Sequence, residues 1–449
     1  MKGFVPTPPD LVDAMVAKLF RNRAPRSDEH LLEPGCGRGA FIEGVLRWCE
    51  RVKSPIPQLV GIDSDPALLD EARRRLGHVP QVTLLLEDFL APRSVRYDYV
   101  VGNPPYVPIT GLTSDERSDY RARYRTASGR FDLYLLFFEQ ALSLLKPDGR
   151  LVFVTPEKFL YVQTAEPLRT ELGRFRVEEI ELIAESAFGE LVTYPTVTTV
   201  VRDSSTASTM VRLRDGTRRK VRLAGATSSW LPLVNGSLVP SSGPVLSDAF
   251  VRISCGVATG ADSVFVMRNS DIPDALAPYA YPTLSGRSMM RGEPIVTTHS
   301  MLVPYAPIGT LIPEEDLGPL GDYLREAERH AQLMERTCVA RKPWYAFHET
   351  PPLAEILRPK ILCKDIGAEP WFVIDAEGEI VPRHSLYYLV PADASNIDVL
   401  CEYLNSEAAL TWLLANCQRA ASGFVRLQSH VLKQLPLPEH LVDLHQLAI

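Results

Sequence analysis

The chain has 449 residues, 45% of them hydrophobic and 23% charged, the balance of a soluble globular protein with about two to three domains. A formal net charge of −7 counts against nucleic-acid binding by bulk charge, because such affinity leans on neutralising phosphates. No apolar run of about 18 residues offers a membrane span. The N-terminus, Met1-Lys2-Gly3-Phe4-Val5-Pro6, lacks the apolar core of a signal peptide. Seven scattered cysteines and nine histidines show no Cys-x-x-Cys or paired ligand spacing, so the expectation is a cytoplasmic protein without disulfides or structural metal.

Phe4-Val5-Pro6-Thr7-Pro8-Pro9-Asp10 reads as a stiff extended lead, with Asp10 or Thr7 as helix cap. Leu11, Val12, Met15, Val16 and Leu19 follow at helical spacing. Leu31-Leu32-Glu33-Pro34-Gly35-Cys36-Gly37-Arg38-Gly39 is a strand running into a glycine-rich turn and a helix start. Glycines there let the backbone approach a ligand, although Gly-x-Gly-x-Gly is shared by several nucleotide-binding folds. Leu59-Val60-Gly61-Ile62-Asp63 is a second strand, ending in a carboxylate 28 residues after Gly35. A ribose needs such an acid to accept from its two hydroxyls. After a helix over Pro66 to Leu76, Val82 to Leu86 is a third strand. It ends in Glu87-Asp88-Phe89, where Asp88 can accept from an adenine amino group and Phe89 can stack on the ring.

Tyr97-Asp98-Tyr99-Val100-Val101 is a fourth strand, and it stops at Asn103-Pro104-Pro105-Tyr106. Proline has no amide hydrogen, a fixed φ, and disfavours helix in the residue before it. The segment is therefore a rigid loop at the carboxyl end of a strand, where open α/β sheets place ligands. An exocyclic amine on a planar ring can donate to the Asn103 side-chain oxygen and the Pro104 carbonyl, with the ring on Tyr106. Taken alone, the same four residues also read as a proline-rich turn with a packing tyrosine. Four successive strand ends bearing ligand-type groups favour the first reading.

Residues 107–130 read as an irregular, mobile loop carrying Arg117, Arg121, Arg123, Arg125 and Arg130, a candidate basic patch on an acidic body. Phe131 to Leu145 is a helix, Arg150 to Thr155 a strand, and a helix follows around Ala165 to Leu172. Val177 to Leu182 and Thr196 to Val201 are further strands, with Phe188 and Tyr194 between them. Met210 to Leu213 and Lys220 to Leu223 form a hairpin across Asp215-Gly216. Arg212, Arg214, Arg218, Arg219, Lys220 and Arg222 make a second basic cluster, read equally well as solvated surface. Gly225 to Pro244 has linker composition. Beyond it the β–α alternation is lost, with one amphipathic helix over Leu320 to Leu333. Another covers Val399 to Cys417, or two separated at Asn405-Ser406.

In this order the segments resemble the gamma-class, TaqI-like DNA adenine-N6 methyltransferases. The resemblance rests on Phe-x-Pro-Thr-Pro-Pro, Leu-Glu-Pro-Gly-Cys-Gly-x-Gly, Gly-Ile-Asp-x-Asp-Pro, Glu-Asp-Phe and Gly-Asn-Pro-Pro-Tyr. It continues through Phe131-Asp132-Leu133-Tyr134 and Leu144 to Val154, nearly half of the chain. Gly256 to Val266, Leu404-Asn405-Ser406 and Leu432 to Pro438 resemble that group's recognition domain more loosely.

The resemblance implies an α/β, Rossmann-like methyltransferase sheet with helices on both faces over residues 1–235. A separate mixed α+β DNA target-recognition domain would cover 236–449. It implies S-adenosyl-L-methionine as cofactor, with Thr7 and Glu33 toward its methionine end and Gly35 and Gly37 permitting close approach. Asp63 would hold the ribose, and Asp88 with Phe89 the adenine. Asn103, Pro104 and Tyr106 would hold a flipped target base, with Tyr194, or next Phe188, on its far face. The implied partners are double-stranded DNA and a cognate restriction endonuclease or other defence subunits. Cys36 reads as a packing residue, since transfer to an amine needs no thiol. Competing readings are a methyltransferase acting on RNA or a protein glutamine, a non-catalytic DNA-binding subunit of a defence complex, and a nicotinamide-dependent oxidoreductase. The last leaves Asn103-Pro104-Pro105-Tyr106 without a purpose.

Overall fold

A computed structural model describes residues 3, 5–188, 194–203, 208–223, 229–236, 243–419 and 424–442. Phe4 and much of the expected linker, 224–228 and 237–242, lie outside the described residues. The chain divides into two compact units, Met1–Leu238 and Val239–Ile449.

The first unit begins with helix α1 (Pro9–Leu19) and strand β1 (His30–Pro34). Then come α2 (Ala40–Val52), β2 (Gln58–Asp63), α3 (Pro66–Leu76), β3 (Val82–Leu86) and β4 (Tyr97–Gly102). The chain continues through α4 (Ser114–Arg123), α5 (Leu133–Ser143), β5 (Leu145–Pro156), α6 (Glu166–Leu172), β6 (Arg176–Leu182) and β7 (Pro195–Val201). The hairpin β8 (Thr209–Arg212) and β9 (Arg218–Val221) and the short α7 (Leu231–Asn235) complete it. Among the described residues, nine strands form one sheet in the order β3-β2-β1-β4-β5-β7-β6-β8-β9. Strands β1 to β5 run parallel, and β7 lies antiparallel between β5 and β6.

The sheet is buried on both faces, as parallel strands require. Val100, Leu151 and Phe153 pack into one apolar cluster with residues of α5 and α6. Their neighbours Val101, Val152 and Val154 point into the other cluster, with Val12 and Val16 of α1 and Phe41 and Val45 of α2. Strand order reverses at β1, between β2 and β4, which opens a crevice at the carboxyl ends of the strands. The glycine turn enters α2 there. Gly39 has φ +78°, and a Cβ on it would lie 2.4 Å from Leu76 Cδ1, so only glycine brings α2 this close to α3.

Several expectations need correction. Neither Asp10 nor Thr7 caps α1; Pro8 occupies the cap position without a side-chain bond, and Thr7 faces Asn103 instead. Residues 107–130 are not a loop throughout, because α4 occupies Ser114–Arg123. It is started by a capping box in which Thr113 accepts from the Glu116 amide and Glu116 accepts from the Thr113 amide. Within the linker-like stretch, Trp230 is 1% exposed and packs with Val234 into the first unit's core. Serine- and glycine-rich flanks hide that apolar anchor. Strand β5 starts five residues earlier than Arg150, at Leu145.

The second unit is mixed α+β. One antiparallel sheet joins β10 (Phe250–Cys255), β14 (Lys360–Lys364), β16 (Phe372–Asp375) and β18 (Leu386–Pro391). A second sheet joins β11 (Val266–Arg268), β12 (Ala280–Leu284), β13 (His299–Leu302) and β17 (Val381–Pro382). Short helices α8 (Asp262–Phe265) and α11 (Leu353–Ile356) connect them. The helix expected over Leu320 to Leu333 is two, α9 (Gly318–Arg325) and α10 (Ala327–Met334). They break at Glu326, whose φ −50° and ψ 133° are not helical. The apolar spacing runs on across that break, so periodicity could not reveal it. Helices α12 (Ile397–Leu404) and α13 (Glu407–Asn416) separate at Asn405-Ser406, where the Ser406 hydroxyl accepts from the Ala409 amide.

Candidate active site

A cavity of about 500 Å³ lies at the carboxyl ends of β1 to β4. Gly35, Asp63, Asp88, Phe89 and Asn103 all line it. Gly35 takes φ +64°, which glycine alone adopts freely, and keeps that wall low. A smaller cavity of about 200 Å³ is lined by Thr7, Glu33 and Phe41, and it shares Gly35 and Asn103 with the first. Asn103 therefore borders both.

The Asp63 carboxylate accepts from the Gly37 amide at 2.7 Å and the Asp65 amide at 2.8 Å. It locks the glycine turn to the end of β2 while still facing the cavity. Gly37 itself serves this bond and lines neither cavity. Asp88 accepts from the Leu90 amide at 2.9 Å, and the Phe89 ring packs 4.9 Å from Phe137. Glu33 is 2% exposed and accepts from the amides of Phe41 and Ile42 at 3.2 and 2.9 Å. It thus serves the first turn of α2, and burial pushes its carboxyl up to about 8. Burial also pushes the Cys36 thiol far up, which leaves it no nucleophilic character at neutral pH.

Asn103 has a divided amide. Its nitrogen donates to the Val5 carbonyl at 3.0 Å and the Thr7 hydroxyl at 3.1 Å. The Val5 carbonyl can only accept, so the amide orientation follows from the bonding. The side-chain oxygen is buried and has no partner among the described residues. Leaving a buried acceptor unsatisfied costs about 1–3 kcal/mol, which a donor on a bound ligand would recover.

Pro104 and Tyr106 line neither cavity. The half-buried Tyr106 ring stands edge-on to Tyr134 at 6.2 Å, its hydroxyl 3.4 Å from the Val154 carbonyl. Burial raises its phenol far above the usual range, so it stays neutral. Phe188 is 8% exposed and packs on the α1–α2 side of the sheet. Tyr194 is half-buried, directly before β7. The five arginines are not equivalent. Arg123 is held by Asp119 and the Leu90 carbonyl and lies against the rings of Tyr120 and Tyr124. Arg117, half-buried, and Arg121 reach backbone carbonyls of Thr113 and Gly129 at 3.1 and 3.3 Å, and Arg121, Arg125 and Arg130 are exposed.

The sequence reading missed the outer wall of the cavity, built by Leu112, Glu116 and Tyr120 at the start and inner face of α4. The Thr113-x-x-Glu116 capping signature was the signal available for it. Among the described residues, no group of three or more His, Cys, Asp or Glu could hold a metal. No described helix is long and apolar enough to cross a membrane.

A reversed α/β sheet, a glycine turn against two strand-end carboxylates, and a buried acceptor amide form a site for S-adenosyl-L-methionine, the cofactor of the proteins this chain is similar to. The donor set fits that cofactor: Asp63 and Asp88 offer acceptors and Phe89 an apolar face around one cavity. The comparisons carry this further. Residues 61–186 match the Eco57I restriction-modification methylase family, and residues 309–437 match the TaqI-like C-terminal specificity domain. The Type II methyltransferase M.PaeR7I of Pseudomonas aeruginosa is 28% identical over 78% of this chain and 66% of its own. M.BstVI of Geobacillus stearothermophilus is 24% identical over 98% of this chain and 90% of its own. The solved structure of the Type IIL restriction-modification enzyme MmeI in complex with DNA shares the fold, with TM-score 0.64 at 11% identity. That match spans 95% of this chain and 64% of MmeI. Along these two stretches the chain is similar to the TaqI-like restriction-modification methyltransferases.

Proposed function

We propose that the chain is a site-specific DNA methyltransferase that modifies the N6 amino group of adenine in duplex DNA. We place it in the cytoplasm, within a restriction-modification or related defence system, beside a cognate nuclease. The observation that carries this is the Asn103 amide, with its nitrogen committed to Val5 and Thr7 and its oxygen buried without a partner. An exocyclic amine brings the donor that this oxygen lacks.

The cofactor, when bound, supplies an electrophilic methyl on a sulfonium. The protein's own task is to present the amine. That nitrogen is a poor nucleophile because its lone pair is delocalised into the ring. Accepting its two hydrogens at Asn103 Oδ1 and the Pro104 carbonyl favours a more tetrahedral nitrogen, aligned for transfer. With the amine so held, its nitrogen would take the methyl that the cofactor supplies, and the surplus amine proton would pass to water. In a duplex the base must first leave the stack, at a cost of a few kcal/mol. Stacking on Tyr106 recovers roughly 1–3 kcal/mol, and in this reading the loop around Asn103-Pro104-Pro105-Tyr106 adjusts as the base enters. Arg117, Arg121, Arg125 and Arg130 grip phosphates, and residues 309–437, matched to a specificity domain, read base edges.

Methyl transfer from labelled cofactor, assayed on duplex DNA, RNA and protein in parallel, tests the reading. Label in adenine of DNA is expected, with Asn103→Ala slowed about 10²–10³-fold at retained cofactor affinity. Label in RNA or in a glutamine side chain would replace the substrate, and full activity of Asn103→Ala would reject the assigned role. Undetectable cofactor binding by calorimetry would favour a non-catalytic subunit.

A further inference from the structure

Helix α4 has two sides with different company. Leu112, Glu116 and Tyr120 recur every four residues and line the larger cavity, so they share one side of the segment. Arg117 and Arg121 follow one residue later each, on the next side, bonded to the Thr113 and Gly129 carbonyls. One short helix therefore carries a wall of the cofactor cavity and two of the arginines assigned above to phosphates.

Its two ends are held unequally. The last turn is clamped, because the Arg123 guanidinium and the Tyr124 hydroxyl both donate to the Leu90 carbonyl, directly after Asp88-Phe89. The first turn hangs on the capping box of Thr113 and Glu116, with Thr113, Ser114 and Asp115 exposed. The excursion is pinned at its neck. There the Ile109 amide donates to the Phe131 carbonyl at 3.1 Å and the Leu133 amide to the Val107 carbonyl at 2.9 Å. Between these bonds the ten residues of α4 bury one side chain, Tyr120. A helix so short is marginal without packing, so its order responds to whatever touches its two sides.

We propose that α4 couples the two ligands: cofactor against Leu112 and Tyr120, and duplex phosphates on Arg117 and Arg121, each favour the ordered helix and so strengthen the other's binding. The inference rests on the proposed DNA substrate. Both ligands bind the ordered helix better than a frayed one, and apparent affinity scales with the fraction of chains in the competent state. Whichever binds first orders the helix for the second, and the gain is the same in either order. Tyr120 thereby becomes a cofactor-contacting residue on an element outside the strand ends.

The test uses the full chain, S-adenosylhomocysteine and a duplex of G·C pairs alone. S-adenosylhomocysteine lacks the sulfonium charge, which removes direct attraction to phosphate. A duplex without adenine offers the base pocket no target, so coupling through Asn103 is removed as well. Thr113→Ala loosens the cap and should lower affinity for S-adenosylhomocysteine about fivefold. Saturating duplex should restore it to the wild-type level. With Arg117→Ala and Arg121→Ala added, the loss should persist however much duplex is bound. Amide hydrogen exchange across α4 should quicken in Thr113→Ala and slow again with either ligand. Should Thr113→Ala fail to fold, Ser118→Gly weakens the same helix from an exposed position and should behave alike. Unchanged cofactor affinity in these variants, a loss that duplex leaves in place, or recovery that survives removal of both arginines would overturn the inference alone. A wild type that binds no duplex at low salt would overturn the reading beneath it.

Discussion

Asn103 does two things with one amide. Its nitrogen ties the Asn-Pro-Pro-Tyr loop to the extended N-terminal lead, and its oxygen is left buried without a partner among the described residues. The acceptor role is legible from four residues in sequence. Which end of the amide is left unpaired is not, because it depends on Val5 and Thr7, 98 and 96 positions away. Thr7→Val keeps the shape and removes one of the two acceptors. Turnover should fall roughly three- to tenfold, about one net hydrogen bond, and a single-turnover assay checks it. Glu33 gives a pH prediction. Its native carboxyl is held up to about 8 against an ordinary value near 4.5, so between these the folded state binds more protons than the unfolded. Stability therefore declines as pH rises through that window. The Tm of the wild type relative to Glu33→Gln should drop from about pH 5 to about pH 8. A constant difference would contradict this. The resemblance turns Glu33 toward the methionine end of the cofactor; in the structure its carboxyl accepts from the amides of α2, a contact that only the folded turn creates.

At the scale of elements, the parallel strands are legible because short runs rich in apolar residues end at or just before Glu33, Asp63, Asp88 and Asn103. Their order in the sheet is not, since the insertion of β7 between β5 and β6 leaves no periodic trace. Helix α4 was hidden for a different reason. Ten residues rich in Arg, Asp and Ser bury only Tyr120, so no apolar stripe marks them, and the helix depends on its capping box instead. Thr113→Ala should cost about 1 kcal/mol of local stability. Because Glu116 and Tyr120 form the outer wall of the larger cavity, affinity for S-adenosylhomocysteine should fall severalfold, on the order of that energy. Calorimetry would show it, and unchanged affinity would mean that α4 is only a cover. The paired helices α9 and α10 teach the converse, that a continuous apolar stripe does not guarantee a continuous helix.

For the whole molecule, a net charge of −7 means that phosphate grip has to come from local groups. Replacing Arg117 or Arg121 by Ala should weaken duplex binding evenly across sequences and reduce the salt slope by about one each. Arg123→Ala should act through stability, since Asp119 and the Leu90 carbonyl already hold it. Fluorescence anisotropy at several salt concentrations separates the two effects. Two units with cores of their own divide the labour proposed here, chemistry in one and sequence choice in the other. Base-resolved sequencing of modified DNA, from cells expressing the wild type or Asn103→Ala, tests that division and the chemistry together. N6-methyladenine at one recurrent sequence in the wild type, gone in the variant, is the expected result. Unmodified DNA from the wild type, or the same methylation in both, would contradict it.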